Sequence, residues 1–305
     1  MSEFFRQKEI SMDLVSIVLP SKNEAASLVT LLPAIQKVCG AAEIIVVNDG
    51  STDNTDELCQ ACGVRQIRHP YSKGNGAAIK AGARAAKGEI IVFMDADGQH
   101  KPTDILRLLD KIHQGYDLVV GARDTKSQAG LGRLAANTLY NKLASWMVEH
   151  PVEDLTSGFR AVVAKRFHEF LYLLPNGFSY PTTSTMAFFR AGFSIAYIPI
   201  QAEKRIGKSH INLRKDGIRF LLIIFKVGTL YSPLKLFTPI SASFFTMGLI
   251  YYVYTYFAMG RFTNMSGLLF STAVIIFLMG LVSEQITSLQ YKETDQTHER
   301  SDGLE

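Results

Sequence analysis

Two aspartates, Asp95 and Asp97, follow an apolar run from Ile90 to Phe93 and are separated only by Ala96. A short apolar run of this kind is typical of a buried strand. Just past such a strand, the two carboxylates can turn out of the sheet and share one divalent cation. Mg2+ favours a few hard oxygen ligands together with the phosphates of a substrate. The pattern therefore favours a metal site, although a purely structural acidic turn fits it as well.

The elements around these aspartates alternate between apolar runs and helical periodicity. The sequence predicts strands at 14–19, 44–47, 65–68, 90–93, 117–120 and 193–198, and helices at 25–38, 54–62, 77–86, 102–113 and 133–147. This alternation predicts an α/β fold with a mostly parallel sheet and helices on both faces. Asp53 is the predicted N-cap of the second helix.

Polar clusters follow four of the predicted strands. In sheets of this class, ligands bind at the carboxyl ends of the strands, so we expect these clusters to form a single site. The four clusters are Pro20–Glu24, Asn48–Ser51, Asp95–Asp97 and Gly121–Arg123.

Two of the loops have features that suit a nucleotide. Asp49 at a strand end can accept hydrogen bonds from a base or a ribose, although a helix-capping turn explains it as well. The glycines of Lys73–Gly76 would let backbone approach the nucleotide closely. This loop is not a dinucleotide fingerprint, because the third glycine position holds Ile79.

Charged residues are absent from 236–260 and from 262–283. Each stretch is at least as long as the roughly 20 apolar residues that cross a bilayer. We predict two transmembrane helices, at 236–259 and 265–287, in a hairpin; two buried helices of a soluble core are the alternative. Before them, Lys215, Arg219 and Lys226 form a narrow stripe in an otherwise apolar stretch, which predicts an interfacial helix over 212–235.

The predicted domain order is a tail at 1–11, the α/β domain at 12–211, the interfacial helix, the hairpin at 236–289 and a polar tail at 290–305. No signal peptide is visible at the N-terminus. The basic residues flank the hairpin, and only Arg261 lies in its link, so the α/β domain and both termini are expected in the cytoplasm. The net charge is only +4, and the excess of basic residues lies next to the predicted membrane helices. This position suits lipid headgroups better than nucleic acid.

Six motifs together resemble family 2 glycosyltransferases of GT-A fold, in the polyprenyl-phosphate, dolichyl-phosphate mannose synthase-like branch. They occur in family order over about residues 14 to 211, and the hairpin resembles bacterial members that glycosylate undecaprenyl phosphate. The motifs are Leu19-Pro20 with Asn23-Glu24, Asn48-Asp49-Gly50-Ser51-Thr52-Asp53, Lys73-Gly74, Asp95-Ala96-Asp97-Gly98-Gln99, Asp154-Leu155-Thr156-Ser157-Gly158-Phe159-Arg160 and Gly207-Lys208-Ser209.

The resemblance implies a UDP- or GDP-linked sugar donor, a polyprenyl phosphate acceptor, and Mg2+ or Mn2+ as cofactor. It implies a metal site of Asp95, Asp97 and Gln99, and catalytic roles for Asp97, Asp154 and Arg123. The acceptor phosphate would contact Arg123, Arg133 and Ser209. The donor would contact Pro20, Asn23, Glu24, Asn48, Asp49, Lys73, Asp95 and Ala96, with Arg205 and Lys208 on a loop that closes over its diphosphate.

Two positions depart from the family pattern. Asn48 stands where the family usually has Asp, and His210 follows Ser209 where the family usually has Lys. Lys208, or protonated His210, would then supply the cation of the closing loop. The sequence thus predicts an inverting, metal-dependent transferase at the cytoplasmic face of the inner membrane, and a bare hairpin has reason to pack against copies of itself. A membrane polysaccharide synthase and an inactive membrane scaffold or lipid-binding module are the alternatives.

Overall fold

The computed structural model describes residues 11–123, 131–177, 179–201, 225, 228–229 and 231–302, and within these the side chains of 131–136 and 290–302 are not described. The chain divides into two compact units, Met1–Asn212 and Leu213–Glu305. The boundary lies next to the predicted end of the α/β domain at residue 211.

The first unit opens with a short 3₁₀ turn, Met12–Leu14, and then alternates between strands and helices. Its strands are β1 Val15–Ser21, β2 Glu43–Asn48, β3 Arg65–Arg68, β4 Ile90–Phe93, β5 Leu118–Arg123, β6 Arg160–Val163 and β7 Ile195–Ile200. Its described helices are α1 Ala25–Val38, α2 Thr55–Ala61, α3 Asn75–Ala85, α4 Thr103–His113, α5 Leu131–Val148, α6 Ala164–His168 and α7 Tyr180–Arg190.

The seven strands form one sheet in the order β3-β2-β1-β4-β6-β5-β7. Strand β6 runs antiparallel to β4 and β5, and the other neighbouring pairs are parallel. The mostly parallel sheet predicted from the alternation of apolar runs and helices is therefore confirmed. The central strands β1 and β4 are buried along almost their whole length because helices cover them. Ile17 and Val92 are fully buried in one cluster with Leu28 and Leu108.

Helix α2 begins one residue later than predicted, so Asn54 rather than Asp53 occupies the N-cap position. The Asp53 carboxylate instead accepts hydrogen bonds from Thr55 Oγ1 at 2.5 Å and from the Ala25 N–H at 3.0 Å. The prediction of Asp53 as N-cap was wrong by one position, but Asp53 Oδ1 still accepts from the Thr55 N–H at 3.3 Å in the first turn of α2. The bond to Ala25 satisfies the first turn of α1, which lies beside Asp53 only in the folded chain.

The second unit contains helices α8 Pro233–Met259 and α9 Asn264–Asp302. Both are long and apolar enough to cross a membrane. Ser241 Oγ donates to the Ala273 carbonyl oxygen at 2.8 Å, and Gly248 lies against Leu269 and Phe270, so small residues bring the two helices together.

Most other apolar side chains of this hairpin are exposed, which a bilayer tolerates and water does not. Helix α9 continues to Asp302, through most of the predicted polar tail. Most of the predicted interfacial helix at 212–235 lies outside the described residues.

Candidate active site

The turn after β4 holds the predicted metal residues. Asp95, Asp97 and Gln99 are partly exposed, while Ala96 between the aspartates is buried. Asp97 Oδ1 accepts a hydrogen bond from the Gln99 N–H at 3.2 Å, and Gly98 adopts a left-handed conformation (φ 74°) that lets the chain reverse. The turn therefore places two carboxylates and one amide at the carboxyl end of a central strand.

This donor set fits a divalent cation that is shared with a substrate. Within the described residues, no group of three or more His, Cys, Asp or Glu side chains could hold a metal by itself. Mg2+ is usually bound through one or two carboxylates plus substrate phosphates rather than by a cage made only of protein ligands. The hard oxygens of Asp95 and Asp97, which are within reach of solvent, match that mode.

The Asp95 carboxylate lies directly against the backbone of Gly158. A methyl group at Gly158 would stand 2.9 Å from Asp95 Oδ2 and 3.2 Å from the Tyr180 hydroxyl. That hydroxyl donates to the Gly158 carbonyl oxygen at 2.8 Å. A side chain at position 158 would therefore displace the Asp95 carboxylate from this position.

Arg160 fixes the helix that supplies Tyr180. Its fully buried guanidinium donates to the Pro181 carbonyl oxygen at 3.0 Å and to Ser184 Oγ at 2.8 Å, and lies 5.6 Å from the centre of the Tyr180 ring. These contacts fix the start of α7, so that the Tyr180 hydroxyl lies next to Gly158 in the neighbourhood of Asp95.

Arg123 at the end of β5 forms a bidentate ion pair with Asp154. Arg123 Nε lies 2.8 Å from Asp154 Oδ2, and Nη2 lies 3.0 Å from Oδ1. Nη2 also donates to Thr156 Oγ1 at 2.6 Å. The structure thus joins two predicted catalytic residues from separate loops in one rigid arrangement.

The charges of this pair and of the metal turn act on one another. Burial lowers the pKa of Arg123, but hydrogen bonding and charge from Asp154, and the charges of Asp95 and Asp97, raise it overall. Burial raises the pKa of Asp154, but Arg123 outweighs this and lowers it overall. Arg123 is therefore a permanent cation in the field of Asp95 and Asp97, and Asp154 is a weakly basic carboxylate.

His100 packs beneath this cluster. Its buried ring stacks on Phe159 with centres 4.9 Å apart and planes 15° from parallel. Burial, opposed by the negative charge of Asp97 and assisted by the positive charge of Arg123, lowers the pKa of His100 to about 4. The imidazole is therefore neutral at physiological pH.

Asp49, predicted to contact the donor, is buried and engaged with its own chain. Its Oδ1 lies 2.7 Å from His69 Nδ1 and 2.8 Å from the Lys73 nitrogen. Its Oδ2 accepts from Ser72 Oγ at 2.7 Å and from the Gly74 N–H at 2.9 Å. Burial raises the pKa of Asp49, but these hydrogen bonds lower it from 3.8 to about 2. The carboxylate therefore shapes the loop around Ser72–Gly74.

The other predicted donor residues lie around the ends of β1 and β2. Asn48 is buried; its Nδ2 donates to Asp56 and its Oδ1 accepts from the Ser51 N–H at 2.7 Å. Asn23 is exposed, and its Oδ1 accepts from the Thr52 N–H at 2.8 Å. The bond between Asn23 and Thr52 joins the two loops. The partly exposed side chains of Pro20 and Glu24 lie at the same edge of the sheet.

The backbone of the 175–177 segment packs against the glycines of the Lys73–Gly76 loop. The Gly76 N–H donates to the Gly177 carbonyl oxygen at 3.1 Å, and the Ala77 N–H donates to that of Asn176 at 2.9 Å. A side chain at Gly74 or Gly76 would meet the backbone of the 175–177 segment, so these glycines make room for protein backbone, while the approach of this loop to a nucleotide stays a prediction. The Lys73 side chain is exposed, with Nζ 5.9 Å from the centre of the Tyr71 ring.

Five predicted residues, or their side chains, lie outside the described part of the chain. Arg133 lies in the first turns of α5, but its side chain is outside the described residues. Arg205, Lys208, Ser209 and His210 also lie outside the described residues. The roles predicted for these five residues stay predictions.

The sequence pattern does not indicate Tyr180, His69 or the close approach of Gly158 to Asp95. Gly158 belongs to the motif that begins at Asp154, and its place in that motif is the one signal that the sequence carries for its role. Tyr180 and His69 belong to no motif, and only the folded chain brings them to Gly158 and Asp49.

Two protein families match different parts of the chain. The family described as "Glycosyl transferase family 2" matches residues 16–169, and the "GtrB C-terminal hairpin" matches residues 232–289. The chain is 30% identical over 222 residues to a dolichyl-phosphate hexose transferase of Haloferax volcanii. That alignment covers 72% of this chain and 96% of the relative. It is 38% identical over 136 residues to an undecaprenyl-phosphate 4-deoxy-4-formamido-L-arabinose transferase of Pseudomonas paraeruginosa, covering 41% of this chain and 40% of the relative.

A similar solved structure is glucosyl-3-phosphoglycerate synthase of Mycobacterium tuberculosis, in complex with Mn2+, uridine-diphosphate and glucosyl-3-phosphoglycerate. It aligns with a TM-score of 0.56 and 23% identity over 69% of this chain and 79% of that one, a likeness that concerns the fold. The match to the hairpin family agrees with membrane association through α8 and α9. With the family matched over half of its length and a relative covered almost end to end, the chain belongs to glycosyl transferase family 2 and is a glycosyltransferase.

Proposed function

We propose that this glycosyltransferase transfers a sugar from a UDP- or GDP-linked donor to a polyprenyl phosphate, either undecaprenyl or dolichyl phosphate. The observation that carries the proposal is the Arg123–Asp154 ion pair beside the Asp95–Asp97 turn, in a chain that also has two membrane helices. An arginine near a metal turn suits two anionic substrates that react with each other.

The acceptor is inferred from the relatives and from the hairpin. The relatives from Haloferax volcanii and Pseudomonas paraeruginosa are named for sugar transfer involving dolichyl and undecaprenyl phosphate. A lipid phosphate stays in the bilayer, so an enzyme that uses it gains from a membrane anchor. The hairpin alone is too small to form a conduit for a polymer, which disfavours the polysaccharide synthase.

The donor side is assigned to the β1 and β2 loops and to the metal turn. Asp95 and Asp97, with Gln99 beside them, would hold Mg2+ or Mn2+, which supplies positive charge against the charge that develops on the leaving diphosphate. Pro20, Glu24 and Asn23 lie where the nucleoside is expected. Asp49 acts on the donor through the Ser72–Gly74 loop that it holds.

The acceptor side is assigned to Arg123. Its guanidinium binds the acceptor phosphate, and Asp154 and Thr156 fix its orientation, which holds the attacking oxygen in line with the anomeric carbon. A phosphate monoester is largely dianionic at neutral pH because its second pKa is about 6, so it needs no strong general base. Asp154, with its lowered pKa, orients Arg123 rather than accepting a proton. We infer one displacement with inversion.

The cytoplasmic side of the inner membrane is proposed as the location of the catalytic domain and of both termini, from the basic residues that flank the hairpin. Nucleotide sugars are then available on the same side. A homo-oligomer through the hairpin is compatible with its exposed apolar faces.

The test is transfer by the full chain in lipid nanodiscs that contain undecaprenyl or dolichyl phosphate, with a panel of labelled UDP and GDP sugars. We expect a chloroform-soluble labelled product that requires Mg2+ or Mn2+. A long water-soluble polymer would instead support the synthase, and no product with any donor would support the inactive scaffold.

A matched pair of variants separates the metal turn from general effects of lost charge. Asp97→Asn should lower the turnover more than about 100-fold, because it removes a direct ligand of the cation. Asp110→Asn, on the exposed side of α4, should behave like the unmodified chain. Equal activity of both variants would remove Asp97 from the proposed site.

A further inference from the structure

The ring of Phe159 lies between the turn that carries Asp95 and Asp97 and strand β5. Phe159 is fully buried, and His100, one residue past Gln99, is 7% exposed. The two rings stack with centres 4.9 Å apart and planes 15° from parallel. Close-packed rings resist compression, so this stack sets the distance between the two segments that carry it.

The edge of the Phe159 ring meets β5 at Gly121. A methyl group at Gly121 would stand 2.9 Å from Phe159 Cδ1, and the Gly121 N–H donates to the Phe159 carbonyl oxygen at 2.9 Å. Side chains alternate along a strand, so Arg123, two residues further on, faces the same side of β5 as the ring. Phe159 therefore supports β5 two residues before the arginine that is assigned to the acceptor.

His100 is buried among the charged groups of the site. The charges of Asp97, Arg123 and Asp154 all act on its ring. In the part of the chain that the structure describes, its buried Nδ1 has no hydrogen-bond partner. A buried polar atom of this kind calls for an explanation. Its stack on Phe159 offers one, namely that the shape of the ring is used at this place.

We infer that His100 and Phe159 form an aromatic spacer that sets the separation between the metal turn and Arg123. The metal turn is assigned to the donor diphosphate and Arg123 to the acceptor phosphate, so this separation is the distance over which the two substrates meet. Displacing two reacting groups by about 1 Å can cost about 100-fold in rate. His100 and Phe159 are thus positioning residues. This role rests on the proposed function, whereas the separation itself can be measured without transfer.

Two variants of His100 separate the shape of the ring from the chemistry of its nitrogens. In His100→Ala, we expect kcat to fall about 100-fold, because the two substrates are no longer held at the reacting distance. The KM for the donor and the KM for the lipid phosphate should each change less than about threefold, because each substrate keeps its own contacts. His100→Phe keeps a ring that stacks on Phe159, so it should recover most of the lost kcat.

Two kinetic results would overturn the spacer. An equal loss of kcat in His100→Phe and His100→Ala would show that the imidazole nitrogens are needed. A change confined to the KM of one substrate would place His100 in the site of that substrate alone.

Phe170→Leu is the control for lost packing. Phe170 is buried in another aromatic cluster, where its ring centre lies 5.4 Å from that of Phe188. This variant should lower the unfolding temperature, as His100→Ala does, and keep its kcat. If kcat falls in step with stability in both variants, His100 is a core residue only and the inference fails.

The separation is measured by nuclear magnetic resonance on the full chain in detergent, with 15N-labelled arginine and without sugar or lipid phosphate. The Nε–H of Arg123 is hydrogen-bonded to Asp154 Oδ2 at 2.8 Å, and the loss of its signal in Arg123→Lys identifies it. Mn2+, added with UDP or GDP, speeds the relaxation of this signal steeply as the distance shortens.

His100→Ala should change this relaxation rate about twofold or more, as a shift of about 1 Å would, and His100→Phe should leave it unchanged. An unchanged rate in His100→Ala would overturn the spacer. If Mn2+ has no effect in the unmodified chain, the metal is not bound at this turn and the inference falls with it. A chain that forms no lipid-linked sugar but shows the expected rates would lose the proposed function and keep the spacer.

Discussion

The guanidinium of Arg123 and the carboxylate of Asp154 face each other through two parallel contacts, Nε to Oδ2 at 2.8 Å and Nη2 to Oδ1 at 3.0 Å. Asp154 is almost fully buried and Arg123 is partly exposed. The pair therefore has its carboxylate buried in the protein and part of its guanidinium accessible to solvent. The two parallel contacts hold the guanidinium in a fixed orientation.

Arg123→Lys should impair the use of the lipid phosphate more than the binding of the nucleotide sugar. Lysine keeps the charge but cannot make two parallel contacts with Asp154, so the cation is no longer held in place. We expect the apparent KM for the lipid phosphate to rise about 10-fold or more, with little change in the KM for the donor. A rise confined to the donor KM would place Arg123 on the other side of the reaction.

Asp154→Ala tests the same pair through stability. Removing one partner of a charge-assisted contact costs on the order of 2 kcal/mol, because the other is left without its partner. In a double-mutant cycle with Arg123→Ala, thermal unfolding should show that the two losses do not add. Additive losses would mean that the two side chains are not coupled in solution.

Gly158→Ala should weaken the metal site without touching a metal ligand. The added methyl group would stand 2.9 Å from Asp95 Oδ2, so the carboxylate must turn away. We expect the Mn2+ affinity to fall about 10- to 100-fold, as for other losses of ligand orientation. Electron paramagnetic resonance titration with Mn2+ and UDP measures this. Gly177→Ala, which adds a methyl group with nothing within 4 Å, is the control and should bind Mn2+ normally.

Gly76→Ala should destabilise the first unit. Its methyl group would overlap the Pro175 carbonyl oxygen, and rigid backbone on both sides leaves little room to relax. Forced overpacking of this kind costs about 1–3 kcal/mol. The shift should appear in thermal unfolding monitored by circular dichroism. An unchanged unfolding temperature would mean that the 175–177 segment is free to move away from α3.

The lowered pKa of Asp49 predicts that the stability of the fold depends on pH in the acid range. Its folded pKa of about 2 lies below the unfolded value of 3.8, so its contribution is complete above the unfolded value and is lost as the pH falls through 3.8 toward 2. The shift corresponds to a free energy of unfolding on the order of 2 kcal/mol. Asp49→Asn should therefore be less stable at pH 7, and its difference from the unmodified chain should shrink in acid. A constant difference across this range would contradict the assignment.

The exposed aspartate on α4 provides the reference for that measurement. Asp110→Asn removes one carboxylate without a buried network, so its unfolding curve should follow that of the unmodified chain at each pH. A parallel loss in both variants would point to the overall charge rather than to the loop that Asp49 holds.

The sequence by itself determined most of the local elements and their order, but it set no bounds for β6 and did not predict α6 or α7. The runs at Ile90–Phe93 and Ile44–Val47 are apolar because strands covered by helices bury both faces, and this pattern can be read from the sequence alone. The parallel topology followed from the alternation of strands and helices, and it placed Asp95, Asp97 and Arg123 at one edge of the sheet. The two membrane helices followed from the absence of charge over their length.

Only the tertiary structure decided how the side chains at that edge are used. Asp49 suits a nucleoside in the sequence, yet His69 and the Ser72–Gly74 loop surround its carboxylate. Gly74 and Gly76 in the sequence suggest space for a nucleotide, yet the backbone of the 175–177 segment lies where a side chain at either position would be. The physical reason is a difference in range along the chain. The spacing of apolar residues and the residues that form turns act between near neighbours, so they can be read from the sequence. The hydrogen-bond partners of a carboxylate, and the backbone that packs against a glycine, come from distant segments that only folding brings together.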